Sequence, residues 1–292
     1  MLVFALRHVL AVLALLPLVL AQMPVESYQR WLMIIKPNVS AGGKWVGQLS
    51  QPEIDAATEA FLTTWPETIS NLTSSRLHLE THVLVSPCPL TSVSSSFPGM
   101  ISPEHLPLDV AAHISPALWD GVAIYAAFTE HAMWGTSSAA DVGWFSVSHT
   151  SNLSAGSYAM AAWTHESMHT MAWYFGEGRL GKVAPLCSSS RKGEDGTHCG
   201  EEIGYKADEG GLSDWMAYHR DYLTGAVRGQ KGRTGLGRQA WRLGTRREAF
   251  LKLRPGSLMP TGLRRRQEGE QEEVGWVPTP WGGEAVVGAV ED

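Results

Sequence analysis

The sequence predicts an α+β fold in which a small mixed sheet packs against two helices. Short apolar runs bounded by glycine, proline, serine or aspartate are typical of strands, and they lie at residues 31–35, 77–85, 122–127 and 143–147. Two longer segments, 157–175 and 212–223, have the composition of helices, because no glycine or proline interrupts them.

The first helix is predicted to begin at Ser50. Ser50 can cap it, Glu53 can reach back to Ser50, and Pro52 is tolerated in the first turn. Apolar residues then follow at helical spacing as far as Leu62. Residues 73–75 form a turn, and residues 108–114 are a candidate short helix.

The two later helices have clear ends. Ser154 or Ser157 can cap the 157–175 helix, and Gly176 can end it. Gly225 can end the 212–223 helix in the same way.

Composition and charge limit the function classes. The chain has 292 residues, of which 44% are hydrophobic and 18% charged, and its net charge is −6. Acids outnumber bases in residues 1–225, whereas 228–266 are strongly basic and 268–292 acidic. The main body therefore has no basic surface for nucleic acid.

The N-terminus has the features of a secretory signal peptide. Basic residues at 7 and 8 precede an apolar run over 9–20, and small residues at 19 and 21 suit cleavage before Gln22. The alternative is a membrane anchor, but the run is shorter than the roughly 20 apolar residues of a spanning helix. We expect a secreted, extracellular protein that leaves the membrane after cleavage of residues 1–21.

The domain organisation follows from these features. Residues 22–225 are expected to form one catalytic domain. Residues 226–292 are rich in arginine and glycine and then acidic, which is typical of a disordered tail. A gene-model artefact would give the same pattern.

Three triplets have the form of N-glycosylation acceptors, at Asn38, Asn71 and Asn152. They fit an exported glycoprotein.

Three cysteines are present, Cys88, Cys187 and Cys199. In an oxidising compartment one disulfide is expected and one thiol is left over. A Cys187–Cys199 bridge across the polar loop is favoured over pairing with Cys88.

The strongest chemical signal is the segment His165-Glu166-Ser167-Met168-His169. On a helix, residues four apart lie on one face, so both imidazoles can bind one tetrahedral Zn²⁺. Zinc lowers the pKa of a bound water to about 7, and Glu166 can act as general base and then general acid. Random placement of this chain's histidines and glutamates gives on the order of 0.03 such motifs. The alternative is a pair of hydrogen-bonded histidines on a partly buried helix.

The motif resembles the HExxH signature of the zincin metallopeptidases. The resemblance implies a zincin-like fold, a zinc cofactor, His165 and His169 as ligands, and catalysis by Glu166. The stretch from Asp208 to Asp214 is similar to the second helix of the glutamate zincins, in which a Glu is the third ligand and an Asp orients a histidine. The region 119–225 also resembles a group of uncharacterised secreted fungal and bacterial HExxH proteins.

The chain departs from two zincin patterns. The metzincin type needs a third histidine ten residues after the first, where Phe175 stands, so this type is excluded. The glutamate zincins space their Glu and Asp by four residues, whereas Glu209 and Asp214 are five apart.

Two residues are therefore candidates for the third zinc ligand. His198 lies beside Cys199, and a Cys187–Cys199 bridge would tether it and lower the entropy cost of binding. Glu209 lies at the start of the next helix, where the helix dipole favours a carboxylate. The alternative for His198 is an ordinary solvated loop histidine, and the alternative for Glu209 is an ordinary acid at a helix N-terminus.

Further residues could complete the site. Asp214, His219 and Asp221 are weaker ligand candidates, or could accept the free N–H of a ligating imidazole. Tyr205, Tyr218, His219 and Tyr222 are candidate oxyanion donors, with ordinary packing as the alternative. The 143–147 strand could be an edge strand that pairs with an extended peptide, although an ordinary inner strand has the same pattern.

The leading function is hydrolysis of peptide bonds in a peptide or protein substrate. One alternative is a secreted zincin-fold binding or structural protein without catalytic activity. Another is hydrolysis of an amide or ester in a non-protein substrate such as cell-wall material.

Overall fold

The structure is a computed structural model that describes most of residues 25–175 and parts of the chain beyond them. The described residues are 25–95, 97, 99–128, 133–137, 142–175, 183, 186, 211–228, 232–245, 247, 248, 252, 275–278 and 284–287. They form a mixed α/β fold with a largely parallel sheet and several helices.

Nine strands are described. They are β1 (Ser27–Lys36), β2 (Asn38–Ser40), β3 (Val46–Gln48), β4 (Leu77–Val85), β5 (Gly121–Ala126), β6 (Met133–Ser137), β7 (Gly143–Ser148), β8 (Gly275–Pro278) and β9 (Glu284–Val287).

Seven of these strands form one sheet in the order β6-β7-β5-β1-β4-β9-β8. The pairs β1–β4, β1–β5, β5–β7 and β4–β9 are parallel, whereas β6–β7 and β8–β9 are antiparallel. Strands β2 and β3 form a separate two-stranded hairpin. The central strands β1 and β5 are buried almost throughout, because strands of a parallel sheet are covered on both faces.

Six α-helices are described. They are α1 (Gln51–Glu59), α2 (Trp65–Leu72), α3 (Leu108–Ala111), α4 (Tyr158–Phe175), α5 (Gly211–Thr224) and α6 (Gly237–Trp241). A 3₁₀ turn covers Pro103–His105.

A π-helical segment, Ala60–Thr64, joins α1 to α2 into one continuous run. Pro66 lacks the N–H that would bond to the carbonyl of Leu62. The N–H of the preceding Trp65 bonds to Ala60 O, five residues earlier, which is the π-helical spacing. The sequence predicted the start of this helix at Ser50 but not its continuation to Leu72.

The start of α1 follows the predicted capping arrangement. The carboxylate of Glu53 accepts hydrogen bonds from the backbone N–H and the hydroxyl of Ser50, both at 2.7 Å. It also pairs with His149 Nε2 at 3.2 Å, which ties α1 to the end of β7.

Aromatic side chains fill the layer between the helices and the sheet. Phe61 is fully buried and stacks on Trp65, with ring centroids 4.9 Å apart. Trp65 in turn contacts Trp31 of β1 edge-to-face at 5.3 Å, and Trp163 of α4 lies 6.2 Å from Phe61. The helix layer and the sheet therefore share one core.

Helix α4 packs on strands β6 and β7. Its close approach depends on Gly143 at the start of β7, where a Cβ would lie 2.7 Å from Thr170 Cβ. This contact fixes the helix that carries the HExxH motif.

Most predicted elements are confirmed with small shifts of their ends. The apolar runs predicted as strands correspond to β1, β4, β5 and β7, and the two later helices correspond to α4 and α5. The edge-strand hypothesis for residues 143–147 is wrong: β7 lies between β5 and β6, and β6 is at the margin of the sheet. The candidate helix at 108–114 is shorter than expected.

The signal peptide, residues 1–21, lies outside the described residues and stays a prediction. Within the described part of the chain, we find no helix with both the length and the apolar character to cross a bilayer. Beyond residue 226, α6 packs against α5, and Leu236 and Trp241 are buried. The domain boundaries stay predictions.

Truncating the buried aromatic core should lower stability strongly. We expect Phe61→Ala to reduce the free energy of unfolding by about 3–5 kcal/mol, since it removes a buried ring and leaves a cavity. Phe97→Ala is the matched control, because Phe97 is 50% exposed and should change it by less than about 0.5 kcal/mol. Denaturant unfolding measures both. Equal effects would contradict the placement of Phe61 in the core.

The Ser50–Glu53 arrangement should make stability pH-dependent. The hydrogen bonds from the Ser50 side chain and backbone, in that order, lower the pKa of Glu53 below its ordinary 4.5. A lowered folded-state pKa stabilises the fold above pH 4.5, and the contribution is lost as pH falls through the folded value. We therefore expect Glu53→Gln to have a lower free energy of unfolding than wild type at pH 7. This difference in free energy should decrease as the pH falls through the folded-state pKa of Glu53. Glu59→Gln is the control, because Glu59 is exposed. A difference in unfolding free energy between Glu53→Gln and wild type that stays the same at low pH would refute the role given to the Glu53 carboxylate.

Candidate metal centre

Helix α4 is a buried helix that carries the motif near its middle. Ala, Met and Trp recur on all of its sides, which is typical of a helix enclosed by other elements. Its start is capped as predicted: the hydroxyl of Ser157 accepts the N–H of Met160 at 3.3 Å, and Ser157 O accepts the N–H of Ala161.

The three motif side chains converge. One potential ligand atom from each of His165, Glu166 and His169 lies within 4.8 Å of the others. The two imidazole centroids are 4.9 Å apart, with the rings nearly perpendicular at 88°. His165 and Glu166 are buried, whereas His169 is half-buried. Solvent therefore reaches the group from the His169 side.

Helix α5 supplies the other wall of the group. His165 Nδ1 lies 3.3 Å from Nε2 of His219, 54 residues further along the chain. The Trp215 ring lies 5.3 Å from the His165 ring and 5.0 Å from the His219 ring. Trp215 and His219 are four residues apart, so both lie on the face of α5 that meets α4.

His219 is fully buried. Burial lowers its pKa from 6.5 to about 3, so the ring is neutral at neutral pH. Among the residues that the structure describes, its other nitrogen, Nδ1, has no hydrogen-bond partner, and neither has the indole N–H of Trp215. Both are buried polar atoms beside His165.

Tyr218 and Tyr222 continue the buried surface of α5. Their rings lie 5.9 Å apart, and Tyr218 is 5.8 Å from His219. Both are fully buried. Burial, and secondarily the neighbouring Tyr218, raises the pKa of Tyr222 well above 10.0.

No further ligand candidate joins the group among the described side chains. Asp221 forms an ion pair with Arg220, with its Oδ1 3.2 Å from Arg220 Nε. For Asp214 only the backbone is described, within α5. Five predicted site residues lie outside the described residues, namely Cys187, His198, Cys199, Tyr205 and Glu209. The third ligand and the Cys187–Cys199 bridge stay predictions.

The modification sites lie away from the motif in sequence. Asn71 and Asn152 are exposed, and Asn38 is half-buried, with its amide donating to Pro87 O at 3.3 Å. Cys88 is an exposed free thiol. Glycosylation at the three sites stays a prediction.

The donor set fits a divalent transition metal. Imidazole nitrogen is the donor that zinc, copper, iron and nickel share in proteins, and the adjacent carboxylate adds a negative charge. A carboxylate and two imidazoles that are withdrawn from water are costly unless hydrogen bonds or a cation compensate them. A cation at this place would offset that cost.

Sequence reasoning named His219 only as one of several secondary candidates and did not name Trp215. The available signal was their spacing of four on the helix after the motif, which places two rings on one face. Spacing alone does not say which face meets α4, so the contact with His165 became visible only in the fold.

Comparisons with models of known protein families and with curated proteins found no match to this chain.

Proposed function

We propose that this protein is a secreted zinc-dependent metallopeptidase. The observation that carries the proposal is the convergence of ligand atoms from His165, Glu166 and His169 within 4.8 Å on one buried helix. A pair of imidazoles beside a carboxylate is the arrangement that metal-assisted hydrolysis needs.

The metal would be held by His165 and His169 together with a third protein ligand, His198 or Glu209. When bound, zinc supplies a Lewis acid and a water that is acidic enough to lose its proton near neutral pH. Three protein ligands and one open position are typical of a catalytic zinc site.

Glu166 moves the proton. It follows His165 directly on α4, and its carboxylate lies within the same 4.8 Å group as the two imidazoles. From this place it takes a proton as general base and delivers it to the leaving amine as general acid.

The surroundings favour this chemistry. Trp215 is only 4% exposed and packs its ring against His165. An aromatic wall excludes water, and exclusion of water strengthens electrostatic interactions within the site. Tyr205 remains a candidate oxyanion donor, whereas Tyr218 and Tyr222 are fully buried and fit the role of packing residues better.

The architecture supports the same proposal. A mixed sheet packs against the HExxH helix and a second helix follows, which agrees in coarse terms with the zincin-like fold that the motif implies. Among the described strands, β6 is at the margin of the sheet and packs against α4, and we propose it as the strand to which an extended peptide substrate adds.

Metal content should depend on the motif histidines. The purified full-length protein should hold one zinc ion per chain, and His165→Ala or His169→Ala should abolish this stoichiometry, since each removes a ligand. Elemental analysis after dialysis measures the zinc content. Exposed His78→Ala is the control, and His198→Ala and Glu209→Ala identify the third ligand by the same assay. A folded wild-type protein that holds no zinc would refute the metal reading.

Removing the carboxylate should separate binding from catalysis. We expect Glu166→Gln to retain zinc but to cleave a fluorogenic peptide library roughly 10²–10⁴ times more slowly, since the general base is gone. Exposed Glu59→Gln should cleave at the wild-type rate. Full activity of Glu166→Gln would show that the mechanism is wrong. Zinc binding by wild type without any cleavage would favour the non-catalytic alternative.

A further inference from the structure

The contact between His165 and His219 decides which nitrogen of His165 is available to a metal. A neutral imidazole carries one hydrogen, on either Nδ1 or Nε2, and only the other nitrogen has a lone pair to donate. His165 Nδ1 faces His219 Nε2 at 3.3 Å, and the two nitrogens form a hydrogen bond when one of them carries a hydrogen.

Two arrangements satisfy this contact. In the first, His165 Nδ1–H donates to His219 Nε2, and His165 Nε2 carries the lone pair that can bind a cation. In the second, His219 Nε2–H donates to His165 Nδ1, and the hydrogen on His165 Nε2 blocks binding there. Only the first arrangement is compatible with His165 as an Nε2 ligand.

We propose that His219 is a positioning residue that accepts the Nδ1–H of His165 and so directs Nε2 of His165 to the metal. This inference rests on the proposed metal site. Ligating histidines in proteins almost always donate their second N–H to a carboxylate, a backbone carbonyl or a water, which fixes both the tautomer and the ring orientation. Here the buried imidazole of His219 lies in the place of that acceptor.

The geometry also argues against His219 as a direct ligand. Two nitrogens that bind one tetrahedral zinc at 2.0–2.1 Å lie about 3.3 Å apart. The His165–His219 distance alone therefore fits His219 either as a second zinc ligand or as a hydrogen-bond acceptor for His165. The group of ligand atoms within 4.8 Å, however, comprises His165, Glu166 and His169 and does not include His219. The described donors thus place His219 behind His165.

Packing on α5 holds the acceptor in place. His219 is fully buried, its ring lies 5.0 Å from Trp215 and 5.8 Å from Tyr218, and these contacts restrict its rotation. In the first arrangement the ring hydrogen of His219 is on Nδ1, which has no hydrogen-bond partner among the described residues.

The experiment compares zinc affinities of full-length variants by competition with a chromophoric chelator. His219→Phe keeps an aromatic ring but removes the acceptor, and we expect 10–100-fold weaker zinc binding. His219→Gln restores an acceptor and should recover most of the loss. The control is Tyr174→Phe, which removes the bond from Tyr174 to Thr245 O at the far end of α4 and should bind zinc as wild type does.

A measurement on the wild-type protein avoids any folding defect of the variants. In ¹⁵N-histidine spectra of the zinc-loaded protein, we expect His165 to carry its hydrogen on Nδ1 and His219 to carry none on Nε2. His165 without a hydrogen on Nδ1, or a His219→Phe variant that folds and binds zinc as tightly as wild type, would overturn the inference. Wild-type protein that binds no zinc would overturn the proposed function instead, so the two failures are distinguishable.

Discussion

The packing of α4 against strands β6 and β7 determines where the motif residues His165, Glu166 and His169 lie. Gly143 allows this helix to approach the sheet, because a Cβ at that position would collide with Thr170. Helix α5 also packs against α4 and brings Trp215 and His219 to His165. The described part of the candidate metal centre thus depends on two helix contacts as well as on the motif.

The centre lies at the boundary between an apolar interior and solvent. His165 is buried against the Trp215 and His219 rings, Glu166 is buried as well, and the half-buried His169 marks the accessible side. Buried polar groups of this kind reduce stability unless they are partnered, and functional sites are where proteins accept such costs. In the described part of the chain, nine buried side-chain polar atoms lack a hydrogen-bond partner, and two of them, Trp215 Nε1 and His219 Nδ1, lie beside His165.

Elements that depend on local sequence were predictable, and contacts that depend on the whole fold were not. The strands β1, β4, β5 and β7 and the helices α4 and α5 are close to the predicted ranges, since apolar runs, caps and glycines are local signals. The strand order was not predictable, so residues 143–147 fitted either an edge strand or an ordinary inner strand, and the structure places β7 between β5 and β6. Likewise, the motif identified His165 and His169 by spacing, but the His165–His219 contact joins residues 54 apart, and no local signal specifies it.

The most direct test of the central claim is an anomalous difference map of the crystallised full-length protein, collected at the zinc absorption edge. The account predicts one peak about 2.0–2.1 Å from a nitrogen of His165 and of His169, on the side of His165 away from His219. A peak between His165 and His219, or none at the motif in protein that was never exposed to chelator, would contradict it.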